Sequence, residues 1–355
     1  MSGLFWYYRD CPRQSRPRLV RASDTQEHMK TFITGATGFI GASIVRELLK
    51  EGRQVRALVR PSSDTSNLAG LDVEFWKGDL RDRDSLVSGL KGCDVLYHAA
   101  ADYRLWTRNP AEMYRINVDG TAAILDAALK NGLSRVVYTS SVGTLGNPGD
   151  GTPGSEDAPV TLNDMVGHYK KSKFLAEREA DTFVARGLPL VIVNPSTPIG
   201  PLDIKPTPTG KIIVDFLNRR MPAYLDTGLN IIAVEDCARG HLLAEKRGQV
   251  GRKYILGNSN LTLADIFKLL NRITGLPAPR LRLPYTPILL AAYVNEGLSR
   301  ITGREPLIPL AGVQMAAKFM FFDSSRAVRE LGLPQSSVED ALRRAVEWFR
   351  ANRYA

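Results

Sequence analysis

Cysteine and histidine are scarce in this 355-residue chain. The three cysteines (Cys11, Cys93, Cys237) stand far apart and form no CxxC pair, which excludes a disulfide framework and a zinc ribbon. The four histidines (His28, His98, His168, His241) show no ligand spacing, so no metal site is expected. Widely spaced free thiols fit a reducing, cytoplasmic setting. No uncharged apolar run reaches the ~18 residues a spanning helix needs, and the most apolar stretch, Pro287 to Val294, is too short. Long runs of one charge are missing too. There are 47 Lys and Arg against 37 Asp and Glu, a net charge of +10, yet the cations are scattered among acids. That spread is not the clustered footprint of a nucleic-acid binder. With 44% hydrophobic and 24% charged residues the composition is globular, which excludes a disordered, collagen-like or coiled-coil chain.

Residues 1–28 differ from the rest. They hold five arginines, three acids and two prolines without periodicity. The apolar start, Leu4 to Tyr8, is too short for a signal peptide. This stretch is expected to be a disordered extension, or to precede a true start at Met29.

From Met29 onward, strand and helix patterns alternate. Thr31 to Thr34, Gln54 to Arg60, Val73 to Lys77, Val95 to Ala99, Arg135 to Ser140 and Leu190 to Val193 read as strands. Ile40 to Leu49, Met113 to Lys130 and Tyr169 to Arg186 read as helices, with Asn131-Gly132 and Gly187 as stops. This alternation predicts an α/β, Rossmann-type doubly wound parallel sheet with right-handed crossovers. Pro195 to Pro208, with five prolines, reads as loop. Thr262 with Asp265, and Ser336 with Glu339, carry helix-capping signatures. The expected division is a nucleotide-binding domain over 29–200, to which 230–256 returns, and a smaller C-terminal substrate lobe from 201–229 and 257–355.

Thr34-Gly35-Ala36-Thr37-Gly38-Phe39-Ile40-Gly41 lies between the first strand and the first helix. Small residues there let the backbone approach a pyrophosphate, and the helix N-terminus offers free N–H groups with positive potential. The second strand ends in Arg60, where enzymes that select NAD place an acid. A guanidinium suits a 2′-phosphate, so NADP(H) is expected over NAD.

The spacing T-G-x-x-G-x-x-G, one residue longer than G-x-G-x-x-G, resembles the extended branch of the short-chain dehydrogenase/reductase superfamily. That branch includes the NAD-dependent epimerase/dehydratase family. The likeness covers nearly all of Met29 to Ala355. It implies that Asp79, with Leu80, meets the adenine, that Ala99, Ala100 and Ala101 line the cofactor, and that Asn117 supports the site. It also implies cofactor contacts from Tyr169, Lys173 and Pro195, and a homodimer through the helices near Met113 and Tyr169.

Tyr169-Lys170-Lys171-Ser172-Lys173 places a tyrosine and a lysine at i and i+4 on one helical face. Hydride transfer at a carbonyl carbon needs a proton at its oxygen. A tyrosine hydroxyl can supply it if its pKa falls by about three units, roughly 4 kcal/mol of differential stabilisation. The motif opens the helix between strands five and six, where this superfamily carries it. The third member is a hydroxyl just past strand five, which can steady developing charge on the substrate oxygen. Ser141 is preferred from family spacing, with Ser140 as the alternative.

Substrate contacts are expected from Asp102, Tyr103, Arg104 and Trp106 after strand four, and from Asn194 after strand six. Val142-Gly143 follows the serine pair where dehydratases carry Asp-Glu, which argues against dehydration. Thr-Ser-Ser-Val-Gly-Thr and Arg60 resemble dihydroflavonol 4-reductases. Asn194-Pro195 resembles galactose-type epimerases. The combined pattern looks most like the hopanoid-associated sugar epimerases, so an NADP(H)-dependent sugar or nucleotide-sugar epimerase is expected. A dihydroflavonol-reductase-like carbonyl reductase and a non-catalytic NADP-sensing regulator are the alternatives. Tyr285 to Leu298 and Leu307 to Phe322 are apolar, and are expected as core helices of the small lobe rather than a membrane surface.

Overall fold

Strand Lys30–Thr34 (β1) is buried from Thr31 to Thr34, the pattern of a parallel strand covered on both faces. The computed structural model describes residues 29–148 and 151–355, so the expected extension 1–28 lies outside the described residues. The strands that follow are Gln54–Val59 (β2), Glu74–Lys77 (β3), Val95–His98 (β4), Arg135–Thr139 (β5) and Leu190–Pro195 (β6). Next come Thr197–Ile199 (β7), Ala223–Leu225 (β8), Gly228–Ala233 (β9), Lys253–Leu256 (β10), Ser259–Thr262 (β11) and Leu281–Leu283 (β12). Seven of them form one parallel sheet in the order β10-β6-β5-β4-β1-β2-β3. This is the doubly wound arrangement that the alternation predicts. The order in which strands are added reverses between β1 and β4, and ligands of such sheets bind in the crevice at that point.

The first helices are Phe39–Lys50 (α1), Arg83–Gly89 (α2) and Pro110–Tyr114 (α3), and α3 continues through a π-turn, Arg115–Asp119, into Gly120–Lys130 (α4). They are followed by Gly167–Ala185 (α5), Pro208–Leu217 (α6), Val234–Arg247 (α7), Leu263–Thr274 (α8), Tyr285–Thr302 (α9), Leu310–Met315 (α10) and Val338–Ala351 (α11). One face of the sheet buries Ile44, Leu48, Val137, Val193 and Leu242 under α1 and α7. The other buries Phe32, Leu96, Ile124, Tyr138 and Ala180 under α2, α4 and α5. A third cluster, with Phe216, Phe267 and Phe349, joins α6, α8 and α11 to β9.

Three local expectations change. The proline-rich stretch after β6 contains a strand, β7, that pairs with β9 at the edge of a three-stranded sheet. An edge position tolerates Pro198, which has no N–H to give. The last helix is capped by Ser337, which accepts from the Asp340 N–H, while Ser336 binds Asp236 through backbone and hydroxyl. Helix α9 is not a core helix. Leu290, Tyr293, Val294, Leu298 and Ile301 are all exposed along it, and Ile301 is 84% accessible. Thr262 does cap α8 through the Asp265 N–H. Among the described residues no helix is long and apolar enough to cross a membrane.

Candidate active site

The glycine loop closes on the end of β4. Gly35 has φ +72°, and a Cβ there would stand 2.6 Å from the Ala100 nitrogen. A Cβ on Gly41 would stand 2.1 Å from the Gly35 carbonyl oxygen, and one on Gly38 3.3 Å from it. Only hydrogen fits at Gly41 without a backbone shift. No side chain caps the N-terminus of α1 and no acid sits in its first turn. Thr37, Phe39 and Ile40 are partly exposed there. This floor of backbone and unopposed N–H groups fits a dinucleotide pyrophosphate. Ala99, Ala100 and Ala101 line the opposite rim, partly exposed.

Arg60 is exposed just beyond β2, and its N–H donates to the Ser63 hydroxyl at 3.1 Å. Across from it, Arg81 grips both oxygens of Asp79 at 2.8 Å. Arg81, with a smaller contribution from Arg60, holds the Asp79 carboxyl below the usual carboxylate range. Leu80 beside it is buried. Arg81 was not among the sequence candidates, and its signal was a second guanidinium two residues from Asp79.

Tyr169 stands in the first turn of α5, half-buried. Burial pushes its phenol pKa up, and the Ser141 hydroxyl acts against that shift. Ser141 also accepts from the Gly143 N–H at 3.0 Å. One turn on, Lys173 is buried, and its ammonium donates to the Tyr138 hydroxyl at 3.0 Å and the Thr139 carbonyl at 2.8 Å. Burial lowers its pKa to about 7.

Ser140 and Ser141 separate cleanly. The Ser140 hydroxyl turns inward and donates to Glu177, which is fully buried one turn past Lys173. Glu177 also accepts from Thr144 at 2.7 Å and from Asn194 at 3.1 Å, and pairs with Lys253. These donors keep the carboxylate ionised against the cost of burial. Glu177 thus ties α5 to β6 and β10 and to the end of β5. It escaped the sequence reading, although its spacing of four from Lys173 marks the same helical face.

Asn194 is fully buried, and its amide nitrogen is shared among the Ser141 carbonyl, Thr144 and Glu177. Its Oδ1 has no partner. Pro195 is buried at the end of β6. Asn117 lies in the π-turn between α3 and α4. Its amide accepts from the Asp102 N–H at 2.7 Å and donates to the Asp102 carbonyl and the Ser172 hydroxyl, each at 2.9 Å. It therefore pins the loop after β4 to α5. Asp102 pairs with Arg104 through both carboxylate oxygens. Tyr103 is exposed and donates to the Lys205 carbonyl at 3.4 Å. Trp106 lines a cavity of about 550 Å³ with Arg104, Met113, His168, Arg300 and Leu310, between this loop and helices α9 and α10. His98 is a core residue. Thr34 and Thr121 satisfy its two nitrogens, and burial lowers its pKa to about 3.

The NAD dependent epimerase/dehydratase family model matches residues 31–257. A Synechocystis protein provisionally named dihydroflavonol 4-reductase is 51% identical over 91% of this chain and 95% of its own length. Sterol demethylase protein B of Methylococcus capsulatus is 36% identical over 91% and 98%. Among solved structures, a nucleoside-diphosphate-sugar epimerase of Pseudomonas aeruginosa matches with TM-score 0.76 and 28% identity, over 92% of this chain and 99% of that one. The chain is an oxidoreductase of the extended short-chain dehydrogenase/reductase type and belongs to the NAD-dependent epimerase/dehydratase family.

Proposed function

We propose that this protein is an NADP(H)-dependent dehydrogenase or reductase acting at one hydroxyl-bearing or carbonyl carbon. The observation that carries this reading is the placement of Tyr169 in the first turn of α5, where the Ser141 hydroxyl acts on its phenol, with Lys173 one turn below. Tyr169 exchanges the proton at the substrate oxygen and Ser141 donates to that oxygen as charge develops. The nicotinamide, when bound, supplies or accepts the hydride. Gly35, Thr37, Gly38, Phe39, Ile40 and Gly41 would hold the pyrophosphate. Asp79 and Leu80 would flank the adenine, and Arg60 would meet the 2′-phosphate. Ala99, Ala100, Ala101 and Pro195 would line the nicotinamide half, facing Tyr169 and Lys173.

One-way chemistry is favoured over epimerisation by Asn194. Its amide nitrogen is committed to Ser141, Thr144 and Glu177, so it does not reach out for a sugar-nucleotide pyrophosphate. The second reading is a sugar epimerase of the hopanoid-associated type, and the likeness to the Pseudomonas epimerase favours it. The test is nucleotide exchange. A reductase releases NADP(H) on gel filtration and rebinds it, preferring it to NAD(H). Stoichiometric retention through repeated filtration would transfer the assignment to the epimerase. Failure to bind either nucleotide would overturn both.

A further inference from the structure

Lys170 follows the catalytic tyrosine, and the helix turns it about 100° away from Tyr169. Its stem runs along the loop that carries Ser141. The Lys170 Cγ and Cε lie 3.4 and 3.5 Å from where a Cβ on Gly143 would stand. Its ammonium ends on the Met320 thioether, at 3.8 Å. Sulfur is a weak acceptor and no match for an ammonium.

The neighbouring lysines of the site are treated differently. Lys173 ends on a hydroxyl and a carbonyl, and Lys253 ends on the Glu177 carboxylate. Among the described residues, no carboxylate pairs with Lys170. A second cation, Lys318, acts on it, and burial with that repulsion lowers its pKa to about 8. Lys318 is exposed at the rim, and its ammonium reaches the Asn147 carbonyl at 3.4 Å. Asp164 acts on Lys318 only through space. Two like charges beside a catalytic serine, one of them largely withdrawn from water and without an oxygen partner, repel each other and cost stability. An anion that sits between them reverses both costs.

We propose that Lys170, with Lys318 at the rim, binds a carboxylate carried by the substrate next to the carbon that reacts at Ser141 and Tyr169. Two ammonium groups match the two oxygens of one carboxylate, whereas a phosphoryl dianion presents more acceptors than they satisfy. The methylene stem of Lys170 and the Met320 side chain wall the subsite, which suits an anion set on an otherwise apolar frame. This subsite rests on the oxidoreductase reading for its place in the reaction, though not for its existence.

Trinitrobenzenesulfonate labels neutral amines, and peptide mass spectrometry reads each lysine separately. Full-length protein with NADP⁺ added is labelled near pH 8 in sodium chloride, sodium acetate or sodium phosphate of equal ionic strength. Acetate should slow labelling of Lys170 about threefold when present at twice its dissociation constant. Lys50 and Lys211, on the surface, should not respond. In Lys318→Met the acetate protection should weaken. Protection by phosphate and not by acetate would overturn the carboxylate assignment. Labelling of Lys170 that follows Lys50 in every salt would overturn the subsite, and so would undiminished protection in Lys318→Met. NADP⁺ binding is read separately from tryptophan fluorescence. Absence of binding with both NADP⁺ and NAD⁺ would overturn the proposed reaction, whereas acetate-insensitive labelling overturns only the subsite.

Discussion

Lys173 donates to the Tyr138 hydroxyl at 3.0 Å, so strand β5 rather than Tyr169 holds its ammonium. Tyr138 is fully buried and its pKa is pushed up, so it stays a neutral partner. The charge on Lys173 is therefore incompletely compensated, and its pKa falls from 10.5 to about 7.

The sign of the resulting pH dependence is fixed. Below about pH 7 the lysine is charged in both folded and unfolded chains, and the full burial penalty applies. Between 7 and 10.5 the unfolded chain binds more protons, so the penalty fades as pH rises. Lys173→Met removes the penalty. Its stability gain over the unmodified protein should be largest below pH 7 and should shrink towards pH 10. The change across that range is expected to be at least about 1.4 kcal/mol, the equivalent of one pKa unit. Denaturant melts at several pH values measure it, and a gap independent of pH would contradict the assignment.

The adjacent serines should fail in different ways. Ser141→Ala should lower kcat about 10²–10³-fold, as loss of one donor to a developing oxyanion does. It should leave the melting temperature nearly unchanged, because Ser141 is partly exposed. Ser140→Ala takes a donor from the buried Glu177 and should cost about 1–3 kcal/mol of stability. Tyr169→Phe completes the comparison. It should lose about 10²–10⁴ in turnover while still binding nucleotide. A full-activity Tyr169→Phe protein would end the mechanism.

The parallel sheet, the glycine loop and the tyrosine–lysine helix were legible because each is a local pattern. Strand runs, a glycine triplet and an i, i+4 pair need no knowledge of the fold. Which serine faces the cleft was not local. Ser140 and Ser141 differ only by the twist of the chain leaving β5, and the decision lies with Glu177, 37 residues away from Ser140. The same carboxylate draws Asn194 inward, although its position after a strand read as a substrate contact. Burial of the apolar segment over α9 failed for a related reason. Amphipathicity marks a face that wants cover, but the packing of the lobe decides whether cover arrives, and Leu290 and Ile301 remain exposed.

Cofactor choice should turn on Arg60. Arg60→Glu places an acid where the 2′-phosphate is proposed to lie. NADP⁺ affinity should fall about 10–100-fold, the loss of one charge-assisted contact. NAD⁺ affinity should change by less than about threefold, a few tenths of a kcal/mol. Arg81→Ala should fall between these, because Arg81 is already committed to Asp79 at two contacts of 2.8 Å. Isothermal titration with both nucleotides measures the ratio. Equal affinities for NAD⁺ and NADP⁺ in the unmodified protein would remove Arg60 from the site.

The last prediction concerns Gly41, buried in the first turns of α1. Its φ is in the ordinary range, so alanine would be welcome on helix propensity alone. Space decides otherwise. A Cβ would lie 2.1 Å from the Gly35 oxygen and 2.7 Å from its carbonyl carbon. Both are backbone atoms that no side-chain rotation can move. Gly35 in turn sits against Ala100, so the loop cannot retreat towards β4. Gly41→Ala must therefore lift the loop away from the helix, at a cost of about 1–3 kcal/mol for overpacking. The lifted loop no longer presents its N–H groups to a pyrophosphate, and nucleotide affinity should drop about tenfold or more, 1.4 kcal/mol at least. Gly52→Ala is the control. It also sits beside α1, and its φ of +74° strains the backbone, but nothing lies within 4 Å of its Cβ. That variant should lose stability and keep its nucleotide. If both variants lost affinity equally, the close approach of Gly41 to Gly35 would not be what shapes the cradle.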